Sequence, residues 1–252
     1  MHESAKITQS DNEMISNRNK IFEMLQTINF SNEEKERLLT MFIRSSKLAR
    51  IFGIFEIYNK ISNVPGSILD IGTWRGETMV ICENLRAILE PFNKQRRIFG
   101  FDTFEGYKGF KENETKSDLH NEGTYNVEKG YEKLLQELIG YHEGNNVMGH
   151  LKIHKVIKGD IRKTLPDFML KNDNEIIALA FFDLNNYEPT SSSFKEVYKR
   201  LVKGGIVGFW QLTRDPEIVS AEGKFYNDYI SKLPFTIRKS NYYPSLSYII
   251  KE

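Results

Sequence analysis

A single cysteine, Cys82, in 252 residues leaves no partner for a disulfide within the chain and no second thiolate for a metal cluster. Charge of one sign is equally scarce, since 35 basic residues face 34 acidic ones. A balanced chain lacks the field that holds nucleic acid by neutralising phosphates, so nucleic acid is not an expected partner. The chain does not open on a basic stretch followed by an apolar run, and no apolar run approaches the length of a membrane span. No membrane partner is therefore expected, and a cytoplasmic protein is the default. No segment repeats. What is present is an apolar fraction of 40%, with 12% aromatic residues, enough for a sizeable core. The length fits one large α/β domain with a helical extension.

The first 63 residues read as that extension, and the first 15 of them as a frayed polar end. Ile21, Phe22, Met24, Leu25 and Ile28 recur near helical spacing. Ser31 followed by Glu34 is a capping box, in which each side chain satisfies an amide of the other residue. The helix it opens carries Leu38, Leu39, Phe42, Leu48 and Ile51 on one face, and a further helix runs through Ile54, Tyr58 and Ile61. Val64-Pro65-Gly66 then breaks the pattern.

From 64 to 252, short β-rich runs at 67–73, 97–103, 154–160, 176–184 and 206–212 alternate with helical stretches such as 77–89 and 191–202. The latter helix is expected to end at Gly204-Gly205. Alternation of this kind predicts a Rossmann-like, mostly parallel sheet with helices on both faces. Two last runs, 235–239 and 246–251, predict an antiparallel C-terminal hairpin. Between the second and third runs, 108–149 is long, polar and rich in Gly, His and Glu, which predicts a lid-like insertion with one helical patch near 131–139. Cys82, among Met79, Ile81 and Leu85, reads as packing.

The first run ends in Asp70-Ile71-Gly72-Thr73-Trp74-Arg75-Gly76, an apolar strand entering a glycine turn that opens a helix. Gly72 and Gly76 let backbone approach a ligand closely, and the helix start offers free amides. The Gly-x-Gly-x-x-Gly spacing of a dinucleotide turn is absent. Asp70 at the strand end suits a cationic sulfonium better than a pyrophosphate, which it would repel. An ordinary strand-to-helix turn is the alternative. The second run ends in Asp102-Thr103-Phe104-Glu105-Gly106, where an acid commonly accepts from ribose hydroxyls. The third ends in Asp160-Ile161, placed for an adenine amino group. Each of these aspartates can instead cap the next helix. The fourth supplies Asp183, leaving an apolar strand for the polar loop Leu184-Asn185-Asn186-Tyr187.

Together these residues resemble the macrocin and mycinamicin O-methyltransferase family. The resemblance runs from Val64-Pro65-Gly66 through Trp74-Arg75-Gly76, Phe101–Gly106 and Thr164-Leu165-Pro166 to Asp183, Tyr187-Glu188, Thr190 and Gly204-Gly205. It implies a class I methyltransferase sheet with a reversed seventh strand, S-adenosylmethionine as methyl donor, and a homo-oligomer. It implies a deoxysugar hydroxyl as acceptor, here on a hexose or heptose activated by a nucleotide and destined for a surface glycan or natural product. Asp70, Gly72, Thr73, Trp74, Gly76, Asp102, Thr103, Asp160 and Ile161 would then hold the cofactor.

One departure bears on chemistry. The family reads Asp-Gly-Asp at the fourth strand and an aspartate pair after the fifth, acids that hold magnesium. Here the second acid is Asn185, and the pair falls on Trp210 and Gln211. One carboxylate with two amides makes a poor site for a hard cation, so no metal ligands are assigned and magnesium is not expected. Asp183 is left as the catalytic base. Tyr187, Trp210, Gln211, Tyr243 and His142 are candidates for the acceptor site, with Trp210 either a wall for a sugar face or a filler of the vacated space. His120, in the same insertion, could likewise reach substrate. A methyltransferase for another small-molecule hydroxyl or amine, and a silent cofactor-binding homologue, are the rival readings.

Overall fold

The computed structural model describes residues 11–108, 122–213 and 220–252. The chain divides into two compact units, 1–50 and 51–252. In the first, helix α1 (Asn12–Thr27) is capped by Asp11, whose carboxylate accepts from the Met14 amide. It begins earlier than its apolar spacing indicates, because the cap and not the apolar face sets the start. Helix α2 (Asn32–Leu38) opens on the expected capping box: Ser31 accepts from the Glu34 amide, and Glu34 accepts from the Ser31 amide. It does not continue to Ile51. Leu38 leaves the helical basin, a 3₁₀ turn spans Leu39–Phe42, and Ile43 is extended before α3 (Ser45–Lys60) begins.

The second unit is built on seven strands: β1 (Ser67–Ile71), β2 (Ile98–Asp102), β3 (Lys155–Lys158), β4 (Ile177–Phe182), β5 (Leu201–Phe209), β6 (Phe235–Lys239) and β7 (Ser247–Lys251). Their order is β3-β2-β1-β4-β5-β7-β6, with β7 antiparallel to β5 and β6 and every other pair parallel. This is the mostly parallel sheet with a C-terminal hairpin that alternation predicts. The helices α4 (Glu77–Leu89), α5 (Tyr131–Gly144), α6 (Ile161–Lys171), α7 (Tyr187–Arg200) and α8 (Ala221–Asp228) surround it. No helix among the described residues is long and apolar enough to cross a membrane.

Burial on both faces gives the central strands their unbroken apolar runs. Leu69, Ile71, Phe99, Phe101, Phe182 and Phe209 face one core with Leu165 and Phe168 of α6 and Phe194 and Val197 of α7. Ile68, Ile98, Leu179, Phe181 and Ile206 face the other with Ile57, Met79, Cys82, Leu135 and Ile139. Cys82 is fully buried there, as its neighbours predict.

Two boundaries differ from expectation. Gly204-Gly205 does not end α7, which stops at Arg200; the pair lies inside β5, where the pairing with β4 slips register. Gly204 takes φ +78, a bulge-like bend that glycine permits. The insertion at 108–149 is also no single lid. Residues 109–121 lie outside the described residues, His120 among them. Its second half is α5, whose Leu135 and Ile139 are fully buried, so an amphipathic stripe makes it part of the core.

At the amino end of the sheet a charged cluster is sealed inside. Glu83 and Arg86 of α4 are fully buried and share two hydrogen bonds, 2.6 and 2.8 Å. His154 Nδ1 accepts from the Ile98 amide at 3.0 Å, which leaves Nε2 to donate to Glu83 at 2.7 Å. Asn146 donates to Glu83 as well, and Glu143 of α5 accepts from the Ile153 amide. The cluster locks α4, α5 and the starts of β2 and β3 together. Burial alone would raise the Glu83 carboxyl; the bonds from Arg86, His154 and Asn146 outweigh it and hold the group down to about 2.

Candidate active site

Strand order reverses between β1 and β4, and in an open α/β sheet ligands bind outside the carboxyl ends at such a switch point. There the loops after β1 and β4 are in backbone contact. The Asp183 amide donates to Ile71 O at 2.9 Å, while the Gly72 and Thr73 amides donate to Phe101 O at the end of β2. The Trp210 amide donates to Phe182 O, bringing the end of β5 alongside.

Gly72 has φ +85, and a Cβ on it would lie 2.5 Å from the Asp183 carbonyl oxygen. A Cβ on Gly76, at φ +82, would meet Leu135. Both glycines are therefore required for close packing of protein on protein, a reason other than the close ligand approach expected of them. Gly72→Ala would have to push backbone from backbone. We expect a stability loss on the order of 2–4 kcal/mol in chemical denaturation, with activity falling as the Asp183 loop is displaced. A variant as stable and active as the parent would contradict the contact.

Around that contact the predicted acids gather. Asp70 is buried and accepts from Thr73 Oγ1. Asp102 accepts from two backbone amides, Phe104 at 2.7 Å and Trp74 at 2.8 Å, tying the turn after β2 to the turn after β1. Desolvation pushes the Asp102 carboxyl up, the two amide bonds pull it down, and the nearby charge of Asp183 adds to the rise. Thr103 closes a local turn, donating to Gly106 O and accepting from the Glu105 amide. Trp74 is held at φ +45 with its ring 43% exposed and edge-on to Tyr125. Helix α4 starts from Gly76 without a side-chain cap, so its amino end faces the turn after β1.

Asp160 has the capping contact open to an aspartate at a strand end. It caps α6 through the Arg162 amide and binds the Arg162 guanidinium, which holds its carboxyl below the usual range. Ile161 is buried in the core beside it.

Asp183 is oriented by Gln211, whose Nε2 donates to Asp183 Oδ1 at 2.6 Å. Gln211 is itself clamped: its amide donates to Glu222 at 2.8 Å, and its carbonyl accepts from Ser220 Oγ. Glu222, fully buried in α8, is a residue that sequence reading missed. Its only local signal is an acid in the first turn of a short helix, and its partner is brought to it by the fold. Asn185 is buried at 4% exposure and held at φ +58; neither its amide oxygen nor its amide nitrogen has a hydrogen-bond partner among the described residues.

Where the resemblance places magnesium, the donors are thus one carboxylate, two amides and an indole. Gln211 aims a hydrogen-bond donor at one oxygen of that carboxylate, Asp183 Oδ1. Among the described residues no three His, Cys, Asp or Glu side chains are grouped to hold an ion. The set does not fit a hard divalent cation.

Of the proposed acceptor residues, Gln211 and Trp210 lie at the site. Trp210 is 4% exposed, stacked on Phe181 at 5.8 Å and met edge-on by Tyr243 at 5.7 Å, so it fills core space and is not an open wall. Tyr187 turns toward α8, with its hydroxyl donating to Asp228 and its ring on Phe225. His142 is displaced from the site altogether. It sits in the last turn of α5, which starts at Tyr131 beside Arg75 and ends where Glu143 binds Ile153 at the amino end of the sheet. A helix of that length carries His142 roughly 15 Å from the cofactor turn.

The family model for macrocin-O-methyltransferase (TylF) matches residues 39–234. Among solved structures, a calicheamicin methyltransferase, CalS11, superposes with a TM-score of 0.90 at 28% identity, covering 96% of this chain and 94% of that one. An apo structure of CalS11, described as a TDP-rhamnose 3'-O-methyltransferase of calicheamicin biosynthesis, gives 0.83 at 27% identity, covering 96% of each chain. The O-methyltransferase NovP, at 0.60 and 16% identity over 81% of this chain and 79% of its own, shares the fold. No curated protein sequence matches significantly.

Proposed function

We infer the reaction from one premise: this chain belongs to the macrocin-O-methyltransferase (TylF) family. It is a methyltransferase that uses S-adenosylmethionine and acts on a sugar hydroxyl. We propose that the acceptor is a hexose or heptose carried on a nucleotide. The neighbour described as acting on TDP-rhamnose supports this, being alike over nearly the whole of both chains. A homo-oligomer, a cytoplasmic location and a role in glycan or natural-product assembly belong to the same proposal and rest on the resemblance.

The observation that carries the mechanism is the contact of the Gly72 turn with Asp183 at the switch point. S-adenosylmethionine, when bound, supplies an electrophilic methyl group on a sulfonium. The uncapped start of α4 suits its carboxylate, Asp70 its positive charge and Asp102 its ribose. Exposed Trp74 and the Thr73 and Thr103 turns shape the rim. Asp183, fixed by Gln211, stands across the backbone contact, where it can take the proton from an acceptor oxygen as that oxygen attacks. Methyl transfer needs acceptor, carbon and sulfur in line, and two loops joined by hydrogen bonds hold donor and base in one frame.

The test is methyl transfer from S-adenosylmethionine to a panel of nucleotide-activated hexoses and heptoses, followed by mass spectrometry. One or more should gain a methyl group. Transfer only to phenols or amines, or none to any acceptor despite cofactor binding, would refute the sugar-nucleotide proposal. Asp102→Ala should weaken S-adenosylhomocysteine binding by about 1–3 kcal/mol in calorimetry, the range for a charge-assisted bond. Unchanged affinity would remove Asp102 from the cofactor site.

A further inference from the structure

Asn185 is costly as it stands. A buried side-chain amide ordinarily finds partners for its oxygen and its nitrogen, and a residue other than glycine ordinarily avoids positive φ. Here both atoms of the amide are unpartnered among the described residues, at 4% exposure and φ +58. Two further buried acceptors in the same region are unpartnered among the described residues, Thr190 Oγ1 and Gln211 Oε1. Thr190 lies in the first turn of α7, just past the Asn185 loop, and Gln211 binds Asp183. Nothing in the packing accounts for sealing so much unmet hydrogen-bonding capacity beside one carboxylate. Isolated orphans of this kind are rare in folded proteins, and a group of them calls for a partner from outside the fold or a role in the site.

We propose that Asn185 is a specificity-determining residue for the acceptor, its amide binding a hydroxyl pair of the sugar: the oxygen accepts from one hydroxyl while the nitrogen donates to its neighbour. A primary amide presents an acceptor and donors side by side, and vicinal hydroxyls present the same pairing in reverse. Such a contact would hold the ring so that an adjoining hydroxyl faces Asp183, two residues away in the chain. Sites built to bond a hydroxyl discriminate strongly against analogues that lack it, because the protein group is then left unpaired. The inference rests on the sugar-methylation reading and specifies what that reading leaves open, namely which group selects the acceptor. It also gives the departure from the family's acidic pattern a function: a neutral amide replaces an acid where a sugar is to be read.

The experiment compares the parent with Asn185→Gly, which removes the amide and suits the positive φ, and with Asn185→Asp, which keeps the shape but exchanges the donor for an acceptor. Each protein is measured for melting temperature, for S-adenosylhomocysteine affinity and for TDP-rhamnose affinity when loaded with S-adenosylhomocysteine. Asn185→Gly should melt at or above the parent temperature and bind S-adenosylhomocysteine within about twofold of it. Its affinity for TDP-rhamnose should fall roughly tenfold or more, as expected for a lost bidentate contact. Asn185→Asp should lose affinity for the sugar nucleotide as well. Equal TDP-rhamnose affinity in parent and glycine variant would overturn the proposal while leaving sugar methylation intact. A matching loss of S-adenosylhomocysteine affinity would overturn it too, by assigning the amide to the cofactor. Failure of the sugar reading itself shows separately, as a parent protein that binds no TDP-rhamnose and methylates no nucleotide-activated sugar of the panel, and the proposal falls with it.

Discussion

Asp183→Asn is expected to lower turnover by roughly 10²–10⁴-fold, the usual range for a lost general base, while S-adenosylhomocysteine binds as before. The substitution keeps the shape of the side chain, and its remaining oxygen can still accept from Gln211 Nε2. The loop backbone is held independently, by the Asp183 amide on Ile71 O. What is removed is the capacity to take a proton. A sugar hydroxyl is a weak nucleophile at neutral pH, so the step that suffers is its attack on the methyl group. Were Asp183 only ordering the loop, the variant would lose melting temperature in proportion to its activity. Chelation tests the same chemistry from another side. With an amide donor aimed at the only carboxylate of the set, EDTA should leave the parent rate unchanged. Loss of activity on chelation with recovery in magnesium would mean that other oxygens complete a metal site, and Asp183 would become a ligand instead of a base.

Glu83→Gln is expected to destabilise the protein by roughly 3–5 kcal/mol at neutral pH, because it removes the hydrogen-bonded counter-charge of the buried Arg86 guanidinium. The parent should show the same interaction in its acid stability. Glu83 has its carboxyl lowered from 4.5 to about 2. A depressed carboxyl stabilises the folded state above the unfolded value, and that contribution drains away as pH falls from near 4.5 toward 2. At full strength it is about 3 kcal/mol. Urea titrations at intervals across that window should show a decline in the parent that is absent from the glutamine variant. Parallel curves for the two proteins would show that the cluster carries no net electrostatic stabilisation.

Much of this molecule is legible without coordinates, because local rules and global fold agree. Alternating β-rich and helical stretches can bury two apolar sheet faces in few ways, and the parallel core follows from them, while the reversed last strand is what the family resemblance implies. The Ser31–Glu34 capping box forms as its spacing dictates. Acids at successive strand ends must share one edge of a parallel sheet, which is why Asp70, Asp102 and Asp183 come together there. The sequence also records the missing acids at Asn185, Trp210 and Gln211.

What tertiary structure alone decided lies in distances that no spacing encodes. That Asp160 caps α6 and also binds a guanidinium depended on Arg162 folding back onto it. The polarity of 108–149 resembles a surface insertion, yet α5 turns Leu135 and Ile139 inward and takes His142 to the wrong end of the sheet. Gly72 reads locally as room for a ligand, but the room is filled by the Asp183 backbone from a strand far along the chain. Glu222 and Ser220 read in sequence only as an acid and a cap at the start of a short helix; that they act through Gln211 is decided by the packing of α8 against the end of β5. Sequence determines which groups a chain carries and the period with which they turn inward; the closure of long loops determines which of those groups meet.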